Sequence, residues 1–160
     1  MLVHSEAEMI AYGEQIGKSL HAPAAIELIG DVGAGKTTIV KGIAKGLGIL
    51  EPVTSPSFTV SRVYQGPYCR LVHYDFYRLS EPGIISDELS ESLEDQEAVV
   101  VVEWGESVRG ILPPRHQVIQ IKHISEHERE VTVDEALSWH FFVYYCYQTW
   151  WWDIRVGVWA

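Results

Sequence analysis

The chain has 160 residues, enough for one ordinary core and too few for two, and 47% apolar against 21% charged residues excludes a disordered polymer. Twelve basic and 22 acidic residues leave a net charge of −10, with nine acids and no Lys or Arg between Arg78 and Arg109. That balance sets aside tight unaided binding to nucleic acid, which depends on neutralising phosphates, and suits a basic protein partner.

Cys69 and Cys146 form neither a disulfide framework nor a short-spaced zinc pair. No basic-then-apolar leader and no run of ~18 apolar residues is present, so a cytoplasmic, reducing setting without membrane insertion is expected.

Ser5 with Glu8 is a capping box, and Met9, Ile16 and Leu20 share one helical face, so the spacing predicts an opening helix. Ala24 to Gly30, AAIELIG, is a short apolar strand that runs straight into glycines. From Lys36, KTTIVKGIAKGLG gathers Ile39, Val40, Ile43, Ala44 and Leu47 on one face, with Gly48 placed to end the helix. SFTVSRVY and RLVHYDFY read as a hairpin about QGPYC, and a short acidic helix follows near Asp87 to Leu93.

AVVVVE, Ala98 to Glu103, is too short for most helices and rich in β-branched residues, which predicts a strand buried on both faces at the sheet centre. HQVIQIKHI and REVTVDE alternate like paired edge strands about a charged turn. The expected fold class is α/β: one P-loop NTPase-like domain over residues 1–137, with a central, mostly parallel sheet, antiparallel edge strands and flanking helices.

Residues 138–160 differ in kind, holding five of the six tryptophans, with Gln148, Asp153 and Arg155 breaking any membrane span. Three readings stay open for this tail: an aromatic element packed on the domain or in a self-association contact, a partner-binding or interfacial segment, or a terminus not native to the fold.

Gly30-Asp31-Val32-Gly33-Ala34-Gly35-Lys36-Thr37 fits G-x-x-x-x-G-K-[ST] at every fixed position, between a predicted strand and a predicted helix. The glycines allow a tight turn with N–H groups pointing inward, and the helix N-terminus adds positive potential for a β-phosphate. Lys36 supplies a mobile charge for the β- and γ-phosphates, and Thr37 a hydroxyl for Mg²⁺. A Rossmann loop is disfavoured, because Lys36-Thr37-Thr38 follows where x-x-G is needed.

Hydrolysis also requires carboxylates for metal and water. Glu103, closing AVVVVE, is expected at the carboxyl end of a central strand, orienting water or the metal's hydration shell. Asp75 in the second hairpin strand is expected to hold Mg²⁺ directly or through water, against the plainer reading of a surface acid paired with Arg78. His73, two residues earlier, reads as a satisfied sheet residue rather than a catalytic one. HISEH, His123 to His127, matches a zinc pattern but joins two strands, where both histidines cannot share a helical face. The chain contains no asparagine, so the Asn-Lys-x-Asp guanine reader is missing and ATP is preferred to GTP.

GDVGAGKTT, TSPSFTV (Thr54 to Val60), HYDFYR (His73 to Arg78) and VEWGE (Val102 to Glu106) come in the order and spacing of the bacterial TsaE (YjeE) family, which the chain resembles from about residue 5 to about 135. The resemblance implies an ATPase with Mg²⁺, acting in threonylcarbamoyladenosine formation beside TsaD, which carries the transfer, and TsaB. The ATPase cycle would reset that complex, and tRNA would be met only indirectly. It implies that Lys36 and Thr37 serve phosphates and Mg²⁺, and that Thr38 closes the loop. It also implies that Asp75 and Glu103 are the acidic site residues, that Trp104 is the aromatic beside the catalytic acid, and that Thr54, Ser55 and Thr59 lie in a switch-like loop. Arg78 stays between a partner contact and the phosphates. Ser57 and Gly105 depart from the family's usual Thr and frequent Pro.

With no arginine placed in a finger-like loop, slow turnover without partners is expected. The rival readings are a small-molecule P-loop kinase and a non-hydrolysing, nucleotide-dependent assembly module.

Overall fold

Strands built from β-branched residues with no polar face must be covered on both sides. The computed structural model describes residues 1–79 and 83–137, and the aromatic segment 138–160 lies outside the described residues. In chain order the elements are β1 (Leu2–Val3), α1 (Glu6–Ser19), β2 (Ala24–Ile29), α2 (Lys36–Gly46), β3 (Ser61–Gln65), β4 (Arg70–Asp75), α3 (Ile85–Glu94), β5 (Ala98–Glu103), a 3₁₀ turn (Gly105–Ser107), β6 (Arg115–Ser125) and β7 (Glu128–Leu137). One seven-stranded sheet takes the order β1-β7-β6-β2-β5-β4-β3. Its middle strands β6, β2, β5 and β4 are parallel, while β3, β7 and β1 add antiparallel pairings at the two sides. The expected α/β class with a mixed sheet is therefore the one found.

Side-chain alternation divides the core in two. Val99 and Val101 of β5, with Leu71 of β4 and Ile26 and Leu28 of β2, pack under α1 and α2. Ala98, Val100 and Val102, with Val72 and Tyr74, pack on the opposite face with Leu89 of α3. All six residues of β5 are buried, as a strand flanked by parallel neighbours on both sides requires.

The helix ends follow local chemistry. Ser5 caps α1, its Oγ accepting from the Glu8 N–H at 3.1 Å, while the Glu8 carboxylate accepts from the N–H of His4, one residue before the cap. At the end of α2, Gly48 (φ 79°) donates to the Lys45 carbonyl and Ile49 to that of Ala44, a Schellman closure at the glycine the sequence marks.

The structure corrects three boundaries. Ser57 to Val60 do not continue the hairpin strand: the Pro56 carbonyl accepts from the N–H groups of Thr59 and Val60, and Val60 sits at φ 66°, which no strand tolerates. β6 is interior, pairing with β2 as well as β7, because its burial extends along a face covered by the helical layer. β7 is not an edge either, since β1 pairs outside it. Two residues are too few to show a period, which is why β1 escapes sequence reading.

Candidate phosphate and metal site

β2 ends at Ile29 and α2 begins at Lys36, so the glycine-rich loop spans strand end to helix start. Gly33 at φ 78° and Gly35 at φ 108° take backbone conformations that a Cβ resists. Lys36 is buried, its Nζ donating to the carbonyls of Gly30 at 2.7 Å and Asp31 at 3.0 Å and lying 4.0 Å from the centroid of the Trp104 ring. Burial pushes its ammonium below the usual lysine range, although Glu103 and Asp75 pull the other way.

Alternation and register bring the acids to this loop. Leu71, His73 and Asp75 alternate along one face of β4, and Val99, Val101 and Glu103 along the same face of β5; the parallel register sets Asp75 opposite Glu103 and Glu103 opposite Leu28. Both carboxylates thus stand at carboxyl ends of parallel strands, where open α/β sheets bind ligands. Glu103 Oε1 accepts from the Thr37 hydroxyl at 3.0 Å and sits 2.9 Å from His73 Nε2. Asp75 Oδ2 accepts from Ser55 at 2.7 Å and Ser57 at 2.6 Å, and its Oδ1 accepts from the Tyr77 N–H at 3.1 Å. Burial raises the Asp75 pKa, but these three hydrogen bonds, with His73 nearby, outweigh it and leave the carboxyl below the ordinary aspartate value.

Lys36, Thr37, Thr38, Val32, Gly33 and Gly35 line a cleft of about 380 Å³ together with Ser55, Ser57, Asp75, Tyr77, Arg78, Glu103 and Trp104. The structure therefore collects all three motifs downstream of the loop around one space. Asp31 is exposed and joins the site through its backbone carbonyl, while Ala34 is buried and borders a second recess. That recess, of about 310 Å³, shares Gly33, Gly35 and Thr38 with the first and is walled by His4, Ser5, His127 and Arg129. Sequence reading missed these wall residues because they come from the two ends of the domain, and only the pairing of β1 with β7 joins them.

Arg78 does not pair with Asp75. Its guanidinium lies 4.7 Å from the Phe58 ring, and Arg78 itself lines the cleft, so a basic group borders the site. Trp104 adopts φ 59°, its ring held between Lys36 and Tyr77, whose ring centroid is 5.0 Å away. Gly105 has a steric role: a Cβ there would lie 3.2 Å from Val102 Cγ1 and 3.3 Å from Glu27 Oε1.

Among the described residues no group of three or more His, Cys, Asp or Glu is arranged to hold a metal ion. Magnesium carried by a nucleotide needs only one or two protein oxygens besides phosphates and water, and the Thr37, Asp75 and Glu103 oxygens are hard donors of that kind.

Behind this site, on the other sheet face, buried Glu27 meets His116 and Arg109. His116 Nδ1 lies 2.8 Å from the Pro113 carbonyl and Nε2 3.4 Å from Glu27 Oε2, so both ring nitrogens face acceptors, as an imidazolium requires. The His116 hydrogen bond, aided by Arg109, holds Glu27 below its ordinary value of 4.5 against the effect of burial. The same bond raises His116 above 6.5, again against burial. Stability from Glu27 is present above 4.5 and lost as pH falls through its lower folded value; stability from His116 is present below 6.5 and lost as pH rises through its higher folded value. Glu27→Gln should therefore lower the melting temperature more at about pH 6 than at about pH 9, measured calorimetrically.

The family model for Threonylcarbamoyl adenosine biosynthesis protein TsaE matches residues 3–131. The chain belongs to the TsaE family. A relative from Treponema pallidum, named tRNA threonylcarbamoyladenosine biosynthesis protein TsaE, is 37% identical over 129 residues, covering 81% of this chain and 95% of that protein. A Streptomyces coelicolor protein of the same name is 34% identical over 130 residues, covering 79% and 78%. Among solved structures, Bacillus subtilis YdiB is similar with a TM-score of 0.71 at 30% identity, covering 96% of this chain and 94% of that one. The TsaE match includes every residue that lines the two recesses, from Val3 to Arg129. No helix among the described residues is long and apolar enough to cross a membrane.

Proposed function

We propose that this chain is a Mg²⁺-dependent ATPase that serves tRNA threonylcarbamoyladenosine formation beside TsaD and TsaB proteins in the cytoplasm. The observation that carries this reading is the 3.0 Å bond from the Thr37 hydroxyl to Glu103, inside a complete G-x-x-x-x-G-K-T loop. A hydroxyl has one proton and two lone pairs, so Thr37 donates to Glu103 and keeps a lone pair for the metal. Loop N–H groups and the start of α2 receive the β-phosphate, and the second recess, continuous with the first through Gly33 and Gly35, receives the nucleoside end.

Lys36 leaves the carbonyls of Gly30 and Asp31 to meet phosphate oxygens, a movement its flexible stem allows. Magnesium, when bound, neutralises charge on the β- and γ-phosphates. Glu103, which has no partner on Oε2 among the described residues, orients the attacking water with that oxygen, while Asp75 steadies the hydration shell.

The chain given ATP and Mg²⁺ should release phosphate slowly, and the rate should rise at least ~10-fold once TsaD and TsaB proteins are added, as P-loop enzymes respond to charge supplied in trans. An unchanged rate removes the partner dependence, and no phosphate release under either condition removes the ATPase reading.

A further inference from the structure

The His73 imidazole is fully buried, yet only one of its nitrogens has a partner. Its Nε2 lies 2.9 Å from Glu103 Oε1, and its Nδ1 has no hydrogen-bond partner and no contact with solvent. A carboxylate oxygen only accepts, so the proton of this bond is on Nε2. Burying a polar atom without a partner costs about 1–3 kcal/mol, and an apolar side chain in β4 would avoid that cost. The flanking residues show that the environment suits one: Leu71 and Val101, the register partner of His73, are both fully buried apolar groups.

What the histidine does supply is a second donor on Glu103 Oε1. Thr37 arrives from α2 and His73 from β4, so two donors fix one oxygen of the carboxylate and leave Oε2 to the cleft. Without His73, rotation of the carboxylate about its last bond is restrained by the Thr37 hydroxyl alone, and that group is the one proposed to meet the metal.

We propose that His73 is a positioning residue for Glu103: its Nε2–H locks the carboxylate in the rotamer that presents Oε2 to the metal-bound nucleotide and the attacking water. The inference rests on the ATPase reading above. Donors that orient acidic groups at metal sites typically contribute ~10- to 100-fold to metal affinity or activity.

Three forms of the full chain separate the outcomes: wild type, His73→Leu and His73→Gln, the last placing an amide N–H near the position of Nε2. Mn²⁺ is titrated by electron paramagnetic resonance into each form with a non-hydrolysable ATP analogue, and kcat and KM for ATP are measured separately. His73→Leu should lose ~10- to 100-fold in Mn²⁺ affinity and in kcat, with KM within about threefold, and His73→Gln should recover most of both. Equal losses in the two variants, or none in His73→Leu, would overturn the proposal while wild-type activity stands. A wild type that binds neither Mn²⁺ nor nucleotide would remove the ATPase reading instead. Should His73→Leu not fold, ¹⁵N spectra of the wild-type imidazole decide the matter: a protonated Nε2 is expected, and a bare one refutes the lock.

Discussion

Glu103→Gln should lower the rate of phosphate release about 10²- to 10⁴-fold while nucleotide affinity stays within about threefold. The amide retains an oxygen that can accept from Thr37 and His73 at 3.0 and 2.9 Å, so the local packing has no reason to change. What it loses is the negative charge and the basicity proposed to orient and polarise water. The proposed phosphate grip resides elsewhere, in the loop amides, Lys36 and the start of α2, and these are untouched by the substitution. Binding measured with a fluorescent ATP analogue and release measured with a phosphate sensor separate the two quantities. Unaltered release would move the water-orienting role to another residue, and Asp75 would be next.

The largest effect on stability is expected where α1 meets α2. Gly13 and Gly17 on one helix face Gly42 and Gly46 on the other; a Cβ on Gly42 would stand 2.8 Å from the Gly13 Cα and would overlap the Ile10 carbonyl. Two effects oppose each other in Gly42→Ala. Alanine favours a helix by about 1 kcal/mol over glycine, and forcing the backbones apart costs about 1–3 kcal/mol or more. The obstructing atoms are main chain and cannot rotate away, so the cost should exceed the gain and Gly42→Val should be worse still. Gly42→Ala should lower the melting temperature by roughly 4 °C and Gly42→Val by roughly 10 °C. Gly110, where an added methyl group would meet nothing within 4 Å, is the control: Gly110→Ala should be close to neutral. An unchanged melting temperature in Gly42→Ala would show that the helices separate freely. Because α2 starts at Lys36, its displacement should also weaken nucleotide binding.

Elements whose pattern repeats within a few residues were legible in the sequence. The caps of α1 and α2, the Val-rich β5 and the loop from Gly30 to Thr37 each carry their signal locally. The pairing of Asp75 with Glu103 was only half legible: each could be placed at a strand end, but their adjacency is a property of parallel register between strands 28 residues apart. The role of His73 was hidden for the same reason, since its partner lies on β5 and an alternating strand looks identical whether a buried imidazole bonds anything or not. The surroundings of Arg78 stayed open because Phe58, which its guanidinium faces, belongs to a turn that high β-propensity disguised as strand. The glycine seam is spaced at four residues on both helices, but its meaning appears only when the two are laid together.

The carboxylate of Asp75 is tied to two serine hydroxyls, and those serines flank Pro56, whose carbonyl closes the turn that ends in Val60. On the proposed reading, a magnesium-bound water approaching Oδ2 would compete for the lone pairs that Ser55 and Ser57 occupy, and the tether would slacken. Phe58, 86% exposed, rides on that same turn. Events at a buried acid would in this way be spelled out on the outside of the protein, where another macromolecule could read them.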